Sequence, residues 1–342
     1  MIHLPVKNLY DLAPKMHEAF RDQAYTCESR NGPVLRLPGI TTVQIQNPKQ
    51  HVCLYAKRDA NPFFHLIESL AMLSGRNSVN LLSWLASNMK NYSDDGVRFN
   101  AFYGERARVT WGDQLKAVVQ ELVNNPESRQ AVVNLWDPAD LLRRTKDKAC
   151  NLCMVFSIEN GRLDMTTFNR SNDCVWGFVT GANIVHLPFF QEYVAAFLDL
   201  PMGVWNHASA NMHVYQDNNK FPLLAEDRLW GKDPYDYLTH CKLFSSVSDL
   251  PDFDKHLATF MDMATAAVHQ SGLAFCPLIA KSGAPYFINR VALPMFNVIA
   301  LYKHIKSKGG QVSYEQLEPS IEQIRATDWQ EAAILWMKSR TN

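Results

Sequence analysis

The stretch ACNLCMVFSIENGRLDMTTFNRSNDCVWG, residues 149–177, decides the fold. Its two β-prone runs, LCMVFSI and LDMTTFN, flank Asn160-Gly161. This dipeptide tolerates the positive φ angles that a tight hairpin turn requires. The stretch therefore predicts a β-hairpin that opens on two cysteines and closes on a compact polar cluster.

The segments around this hairpin mix strands and helices. Residues 32–48 are β-branched and punctuated by Gly and Pro, which predicts strands with turns, and residues 130–137 predict a short strand. Residues 61–75 and 78–89 carry apolar residues at helical spacing. The largely apolar segment 183–200 predicts a helix that lies centrally. The pattern indicates an α+β fold.

The last ninety residues or so are predicted to be helical. SYEQ (313–316) and TDWQ (327–330) both fit a capping box, in which Ser or Thr precedes Gln by three residues. We expect an α+β domain over residues 1–245 and a helical C-terminal extension over residues 246–342 that packs on the same domain.

The amino-acid composition limits which kinds of binding partner and which cellular compartment the chain suits. The 34 Lys and Arg residues balance 34 Asp and Glu residues, so the chain has no general basic field for a nucleic acid, although a local anion pocket is still allowed. No segment has the pattern of a signal peptide or the length of a membrane span. Seven scattered cysteines suit reduced thiols better than a disulfide framework. We expect a soluble cytoplasmic protein.

The spacing Cys150-x-x-Cys153 is compatible with half a zinc site or a redox pair, or with two small buried apolar residues. The sequence has no second CxxC or HxxxH, and a structural zinc site needs four ligands. Residues three apart on a strand also point to opposite faces. We therefore expect no metal here and a core position for Cys153.

The polar cluster after the hairpin contains Arg170 and Ser171. A guanidinium grips a phosphate with two hydrogen bonds, and a neighbouring hydroxyl adds a donor. Taken alone, the cluster also fits a turn with a surface arginine. Together with Cys150 it indicates a thiol beside an anionic substrate, where cationic neighbours would favour the nucleophilic thiolate.

At this point a family becomes recognisable. SRNGPVLRLPG, HLIESLAMLSGRN, FNAFYGERAR and PESRQAVVNLWDP precede the hairpin, and HVY follows it at 213–215. In this order and spacing, the chain from about residue 30 to 215 resembles the thymidylate synthase family. The resemblance implies a mixed β-sheet packed with helices, and transfer of a one-carbon unit from 5,10-methylenetetrahydrofolate to a pyrimidine nucleoside 5′-monophosphate.

The resemblance also implies roles for individual residues. Cys150 is the nucleophile that adds to pyrimidine C6, which makes C5 reactive enough to take the carbon. Glu68 relays protons through water to the pyrimidine carbonyl region. Asn183 reads the base: its amide offers a donor and an acceptor that suit uracil O4 and N3–H. Cytidylate hydroxymethylases of the family have aspartate there, so we expect a uracil base.

The other implied roles concern binding. Arg30, Arg170 and Ser171 bind the phosphate, and Arg129 reaches across a homodimer interface into the neighbouring site. His213 and Tyr215 hold the sugar 3′-hydroxyl. Asp173 lines the pyrimidine and folate pocket.

The chain departs from the family in several places. Asn151 follows the nucleophile where histidine is usual, and Gln130 replaces a second interface arginine. Met89 and Tyr92 lie where two tryptophans normally shield the folate. GFVTGAN has two extra residues before Asn183, and the C-terminus lacks the short apolar tail that closes over the folate.

These departures bear on the last step of the reaction. An exocyclic methylene on C5 becomes methyl by hydride transfer or hydroxymethyl by attack of water, and a dry site favours hydride. A wetter site predicts 5-hydroxymethylation of dUMP, which would supply a precursor of modified DNA. The alternatives are dUMP methylation, hydroxymethylation of dCMP or CMP, and a catalytically silent nucleotide-binding protein.

Overall fold

The protein is described by a computed structural model over residues 1–218, 220–244, 249–269 and 283–341. Its strands are β1 (Ile2–Val6), β2 (Tyr25–Ser29), β3 (Gly32–Arg36), β4 (Thr41–Ile45), β5 (Val132–Asn134), β6 (Asn151–Glu159), β7 (Arg162–Asn169), β8 (Asn172–Asp173), β9 (Met202–Ser209) and β10 (Met212–Tyr215). Its helices are α1 (Leu9–Gln23), α2 (Pro62–Ser74), α3 (Val79–Leu85), α4 (Tyr103–Arg108), α5 (Gln114–Asn124), α6 (Asn183–Phe197), α7 (Lys220–Leu224), α8 (Leu250–His269), α9 (Leu293–Ser307), α10 (Tyr314–Ile321) and α11 (Thr327–Lys338).

The predicted hairpin lies in a mixed sheet, between β9 and the edge strand β5. Strands β6 and β7 pair antiparallel, and both turn residues have positive φ, 51° at Asn160 and 70° at Gly161. The six-stranded sheet has the order β1-β4-β9-β7-β6-β5. Strand β9 runs parallel to β7, and the connection between them carries α6. The register of β6 against β7 shifts between Asn151 and Cys153, a bulge that directly follows Cys150.

A second sheet has four strands in the order β2-β3-β10-β8. Strand β10 pairs antiparallel with β3 and parallel with β8. Because β8 follows the hairpin after two residues, this sheet holds the polar cluster close to the first sheet. The structure confirms the predicted mixed α+β architecture.

Helix α2 is formed by the signals read in the sequence. The Asn61 side chain accepts hydrogen bonds from the N–H groups of Phe63 and Phe64, both at 3.1 Å, and Pro62 occupies the first turn. Gly75 ends the helix at φ 72°, in the left-handed region that suits glycine. Nearly every residue of α2 is buried, so the helix lies inside the molecule.

Helix α4 lies very close to the C-terminal end of α2. The Gly104 N–H contacts the Met72 sulfur at 3.3 Å. A Cβ at Gly104 would collide with the Met72 backbone, so only glycine allows this approach. The approach brings Tyr103, the first residue of α4, beside the segment that carries Cys150.

The C-terminal helices pack against the same helix. Helices α8, α9 and α11 all contact α2, and α8 also contacts α3. The Phe63 and Trp336 rings meet edge to face with centroids 5.5 Å apart. At the end of α11, Arg340 Nη2 forms an ion pair with Asp59 Oδ2 at 2.7 Å. The buried apolar residues of both regions form one continuous core.

Two local predictions need correction. TDWQ does not form a capping box: the Thr327 hydroxyl instead donates to the Thr239 carbonyl at 2.8 Å and accepts from the Thr239 N–H. Cys153 is not a core residue. Its neighbour Met154 takes the buried face of β6, which leaves Cys153 half-buried on the outer face. The box at Ser313 is present.

Some expectations fall outside the described residues. The predicted boundary between residues 245 and 246 lies in the undescribed segment 245–248, and Cys276 lies in 270–282. The division into two regions therefore stays a prediction. The six cysteines that are described are all free. Among the described residues, no helix combines the length and the apolar character that a membrane crossing requires.

Candidate active site

A cavity of about 490 Å³ opens between α2, α4 and the start of α6. It mixes polar and apolar walls, which suits a ligand with a flat ring and polar edges. Four residues with predicted roles line it: Glu68, Met89, Tyr92 and Asn183. Its other lining residues include Arg58, Asp59, Tyr103, Asp147, Trp176 and His186.

The deep wall of the cavity carries polar groups that no described residue satisfies. Glu68 is only 5% exposed, and its Oε2 lies 3.8 Å from His186 Nδ1, too far for a hydrogen bond. Neither this oxygen nor either ring nitrogen of His186 has a hydrogen-bond partner in the described part of the chain. Unpaired buried polar atoms are costly, so this wall is built for a ligand or for water.

Asn183 begins α6 and lies one helical turn before His186. Residues three apart on a helix share a face, so the Asn183 amide and the His186 ring belong to the same wall. A π-helical turn over Cys174–Phe178 precedes α6, and the Ala182 N–H donates to the Trp176 carbonyl at 3.2 Å. This wide turn leads into α6 and places Asn183 at the cavity.

Cys150 lies just behind the cavity wall and does not line the cavity itself. Its N–H donates to the Tyr103 hydroxyl at 3.2 Å, and its carbonyl accepts the Arg170 N–H at 2.9 Å. Tyr103, which accepts the Cys150 N–H, and Asp147, three residues before Cys150, do line the cavity. Cys150 is therefore next to residues that face the ligand space.

The surroundings of the Cys150 thiol shift its pKa in opposite directions. Burial raises the pKa of the Cys150 thiol above its ordinary value, and Asp147 raises it further, while the positive charges of Arg170 and Arg30 lower it. The predicted cationic assistance is present, but burial dominates. The thiol is therefore protonated at neutral pH in this state.

Arg170 is anchored next to the nucleophile. Its Nε donates to the Ala149 carbonyl at 2.7 Å, and its Nη2 donates to the Lys148 carbonyl at 3.0 Å. These bonds fix the guanidinium beside Cys150. Its predicted phosphate-binding role stays a prediction. Ser171 follows it and is half-buried.

Arg30 lies in a second cavity, of about 450 Å³, on the other side of Tyr92. Arg144 and Lys146 line the same space, against the single carboxylate of Asp94. Tyr92 contributes to both cavities. The structure thus places a basic recess next to the larger cavity, which is where an anionic end of a ligand would be favoured.

Asp173 and His213 lie side by side on paired strands, and His213 and Tyr215 share one face of β10 as predicted. Asp173 Oδ1 accepts the N–H groups of Val175 and Trp176 at 2.7 and 2.8 Å. Burial raises the pKa of Asp173 and lowers that of His213, and the attraction between the two opposes both shifts. Asp173 lies behind the cavity wall and holds the turn that presents Trp176.

The thymidylate synthase family profile matches residues 33–234 of this chain, which include the cavity and Cys150. The chain belongs to the thymidylate synthase family. The deoxyuridylate hydroxymethyltransferase of Pseudomonas phage M6 is 34% identical over 98% of this chain and 94% of the relative. The deoxyuridylate hydroxymethyltransferase of Bacillus phage SP01 is 37% identical over 52% of this chain and 49% of that relative.

A solved structure agrees with the fold. Thymidylate synthase from T4 phage superposes with a TM-score of 0.51 at 22% identity, and the match covers 60% of this chain and 77% of the other. Membership of the thymidylate synthase family makes the protein a folate-dependent one-carbon transferase that binds a pyrimidine nucleotide.

The outer wall of the cavity carries Met89 and Tyr92 on a 3₁₀ turn over Ser87–Tyr92. Their predicted contact with folate stays a prediction. The opposite side supplies Trp176, whose ring packs 4.1 Å from the Arg58 guanidinium carbon. These apolar and aromatic surfaces fit the flat ring of a folate.

Arg129 stands apart from the other predicted residues of this thymidylate synthase family member. It is exposed on the segment between α5 and β5. In the described part of the chain it lines neither cavity. Its predicted role in a neighbouring subunit's site therefore stays a prediction.

Several cavity residues were not anticipated from the sequence. His186 could have been found, because it lies one turn after Asn183 on a predicted helix. Tyr103 and Asp147 gave no comparable signal, since their positions depend on the approach of α4 to α2 and on the course of the loop before Cys150.

Proposed function

We propose that this protein transfers a one-carbon unit from 5,10-methylenetetrahydrofolate to C5 of dUMP and completes the reaction with water, giving 5-hydroxymethyl-dUMP. The observation that carries the proposal is the placement of Cys150 between anchored Arg170 and a cavity lined by Glu68 and Asn183. The names of both phage relatives, and the match to the first of them over 98% of this chain, support the hydroxymethyl product.

In this proposal, separate groups of residues bind the phosphate and the sugar of the nucleotide. Arg170, with Ser171 and Arg30, binds the 5′-phosphate, and His213 and Tyr215 bind the sugar. These contacts hold pyrimidine C6 against the Cys150 thiol. The positive charges of Arg170 and Arg30 oppose the effect of burial, which keeps the thiol protonated before substrate binds.

The polar wall of the cavity binds the base and transfers protons to it. The Asn183 amide pairs with uracil O4 and N3–H, and Glu68 relays protons through water to the pyrimidine carbonyl region. Glu68 and His186 have unpaired polar atoms directed to this task. Addition of Cys150 to C6 then lets C5 accept the one-carbon unit carried by the folate.

The outer wall supports water as the final nucleophile. Tyr92 is 51% exposed and Trp176 is 53% exposed, so the shielding surfaces are themselves in contact with solvent. Access of water favours the hydroxymethyl product over the methyl product.

The proposal is tested by mass spectrometry of the nucleotide after incubation with methylenetetrahydrofolate and each of dUMP, dCMP, UMP and CMP. A hydroxymethyl product from dUMP, with tetrahydrofolate released, is expected. A methyl product with dihydrofolate would show a divergent thymidylate synthase, and absence of turnover with all four nucleotides would favour a binding role.

Replacement of Asn183 with aspartate should change the base preference. The carboxylate cannot donate to uracil O4, which leaves polar groups unpaired in a buried site. We expect kcat/KM for dUMP to fall at least about 100-fold and activity with dCMP to increase. Steady-state kinetics with the two nucleotides measure the change.

Asn88→Asp is a matched control, because it makes the same chemical change elsewhere on the cavity wall. Its ratio of dUMP to dCMP activity should equal that of the unmodified protein. An unchanged ratio in Asn183→Asp would show that another group reads the base.

We further propose that the protein forms a homodimer through the outer face of the six-stranded sheet. Helices α1, α5 and α6 cover the other face. The outer face carries Phe168, 42% exposed, directly opposite half-buried Cys153. An open sheet face with apolar residues is typical of a subunit interface.

Sedimentation should show a dimer for the unmodified protein and a monomer with reduced turnover for Phe168→Asp, because a charge would be buried in the interface. Reduced turnover follows if Arg129 completes the neighbouring site. Val123→Asp, on exposed α5, should remain dimeric. A monomeric unmodified protein with full activity would exclude the shared site.

A further inference from the structure

Asp147 places a third carboxylate in the cavity wall, besides those of Asp59 and Glu68, and lies three residues before Cys150. Its Oδ2 accepts the Ala101 N–H at 2.8 Å. Its backbone is held as well: the carbonyl accepts from Asn100 Nδ2 at 3.0 Å, and the N–H donates to Thr145 Oγ1 at 3.1 Å. The carboxylate is therefore fixed in position and is not a mobile surface group.

The second oxygen of this carboxylate has no structural task. In the described part of the chain, no group donates a hydrogen bond to Asp147 Oδ1, and no cation forms an ion pair with Asp147. The nearby Arg106 cation is bound by Asp140 at 2.7 Å. One oxygen thus orients the group and the other is free to act on a ligand or a water in the cavity.

The environment makes this carboxylate a better base than an exposed aspartate. Burial raises the pKa of Asp147, and the charges of Asp140 and Asp94 raise it further, whereas the Ala101 N–H and Arg106 lower it. A higher pKa increases the affinity of the free oxygen for a proton. Asp147 also contributes to the raised pKa of the Cys150 thiol, so the two groups are within electrostatic reach.

We propose that Asp147 is the general base that activates the water which ends the reaction, an inference that rests on the proposed hydroxymethyl product. As the water oxygen bonds to the exocyclic methylene carbon, Asp147 Oδ1 takes the water proton, and the methylene π electrons move into the C5–C4 enolate. The enolate then re-forms the C4 carbonyl and the C5–C6 double bond, and the C6–S bond breaks to release the Cys150 thiolate. The net change is addition of OH to carbon and of H to Asp147.

Three other titratable groups of the cavity are less suited to this step. Asp59 is held in an ion pair with Arg340 at 2.7 Å. Glu68 is placed on α2, opposite the loop of Cys150, where it serves the pyrimidine carbonyl. His65 has its pKa lowered to about 3 by burial and by the charges of Arg58 and His186, so it binds a proton poorly. Asp147 is the carboxylate on the same short segment as the sulfur that leaves.

The test compares Asp147→Asn with the unmodified protein in two assays. Release of tritium from dUMP labelled at C5 reports the chemistry before the water step, and mass spectrometry of the nucleotide reports the product. In the variant, one equivalent of tritium per site should be released at a rate within a few-fold of normal. Formation of 5-hydroxymethyl-dUMP should fall about 100-fold or more.

The stalled species gives a third readout. Mass spectrometry of the denatured variant should detect dUMP plus the methylene carbon still attached at Cys150. Asp147→Glu should restore part of the product formation. Asp137→Asn is the control for removal of a nearby carboxylate, because Asp137 accepts the Ala139 N–H at 3.0 Å and pairs with Arg143 outside both cavities. It should retain product formation without a trapped adduct.

Three outcomes would overturn the inference: normal product formation by Asp147→Asn, an equal loss of tritium release and product, or no trapped adduct. An equal loss would mean that Asp147 only supports the fold of the site. Failure of the proposed function has a different signature, since the unmodified protein would then make a methyl product or none.

Discussion

Replacement of Cys150 with alanine should abolish turnover, with a fall of at least about 10⁴-fold in kcat. The sulfur forms the covalent bond that makes C5 reactive, and none of the residues that line the described cavity is a cysteine that could replace it. Affinity for dUMP, measured by calorimetry, should stay within a few-fold of normal, since Arg170 is held by backbone carbonyls and not by the sulfur.

Cys153→Ala is the matched control, because it removes a thiol three residues away on the outer face of β6. It should retain nearly full turnover. Substantial turnover in Cys150→Ala, or an equal loss in both variants, would contradict covalent catalysis by Cys150.

Replacement of Asp140 with asparagine should lower the free energy of unfolding by about 3–5 kcal/mol. Asp140 and Arg106 are buried, with exposed side-chain fractions of 0% and 4%, and they form a two-point ion pair at 2.7 and 2.9 Å. The substitution leaves the Arg106 charge uncompensated in the interior. Urea denaturation followed by circular dichroism measures the change.

The free energy of unfolding that Asp140→Asn loses should also depend on pH. Burial alone would raise the pKa of Asp140, but the hydrogen bonds and charge of Arg106 hold it below its ordinary value. A lowered folded-state pKa stabilises the protein above the unfolded pKa of about 4, and this stabilisation is lost as the pH falls through the folded-state value. The difference between the two proteins should therefore be full at neutral pH and shrink in acid.

The exposed ion pair of Arg76 with Asp262, at 3.2 Å, provides the control. Asp262→Asn should change the free energy of unfolding by less than about 1 kcal/mol, because solvent screens the pair. If Asp140→Asn and Asp262→Asn changed the free energy of unfolding equally, burial of the Arg106–Asp140 pair would make no difference to its contribution.

The elements that the sequence predicted are those with local causes. Helix α2 carries its own cap, first-turn proline and terminal glycine, and the hairpin carries its own turn dipeptide, so both could be recognised from a few neighbouring residues. The role of Thr327 could not be recognised in this way, because its hydroxyl donates to the carbonyl of Thr239, 88 residues away, and does not cap its own helix. Asp147 was missed for the same reason: its place in the cavity depends on Ala101.

The arrangement of the C-terminal helices around α2 has a consequence for inheritance. Glu68 stands on a helix that is covered by α8, α9 and α11, all of which lie beyond the segment matched by the family. A fragment cut before α8 would expose the apolar side of α2 to water and would be prone to aggregate. Recombination that separates the segment matched by the family from α8, α9 and α11 would therefore be expected to yield insoluble proteins. We expect the two segments to be inherited together.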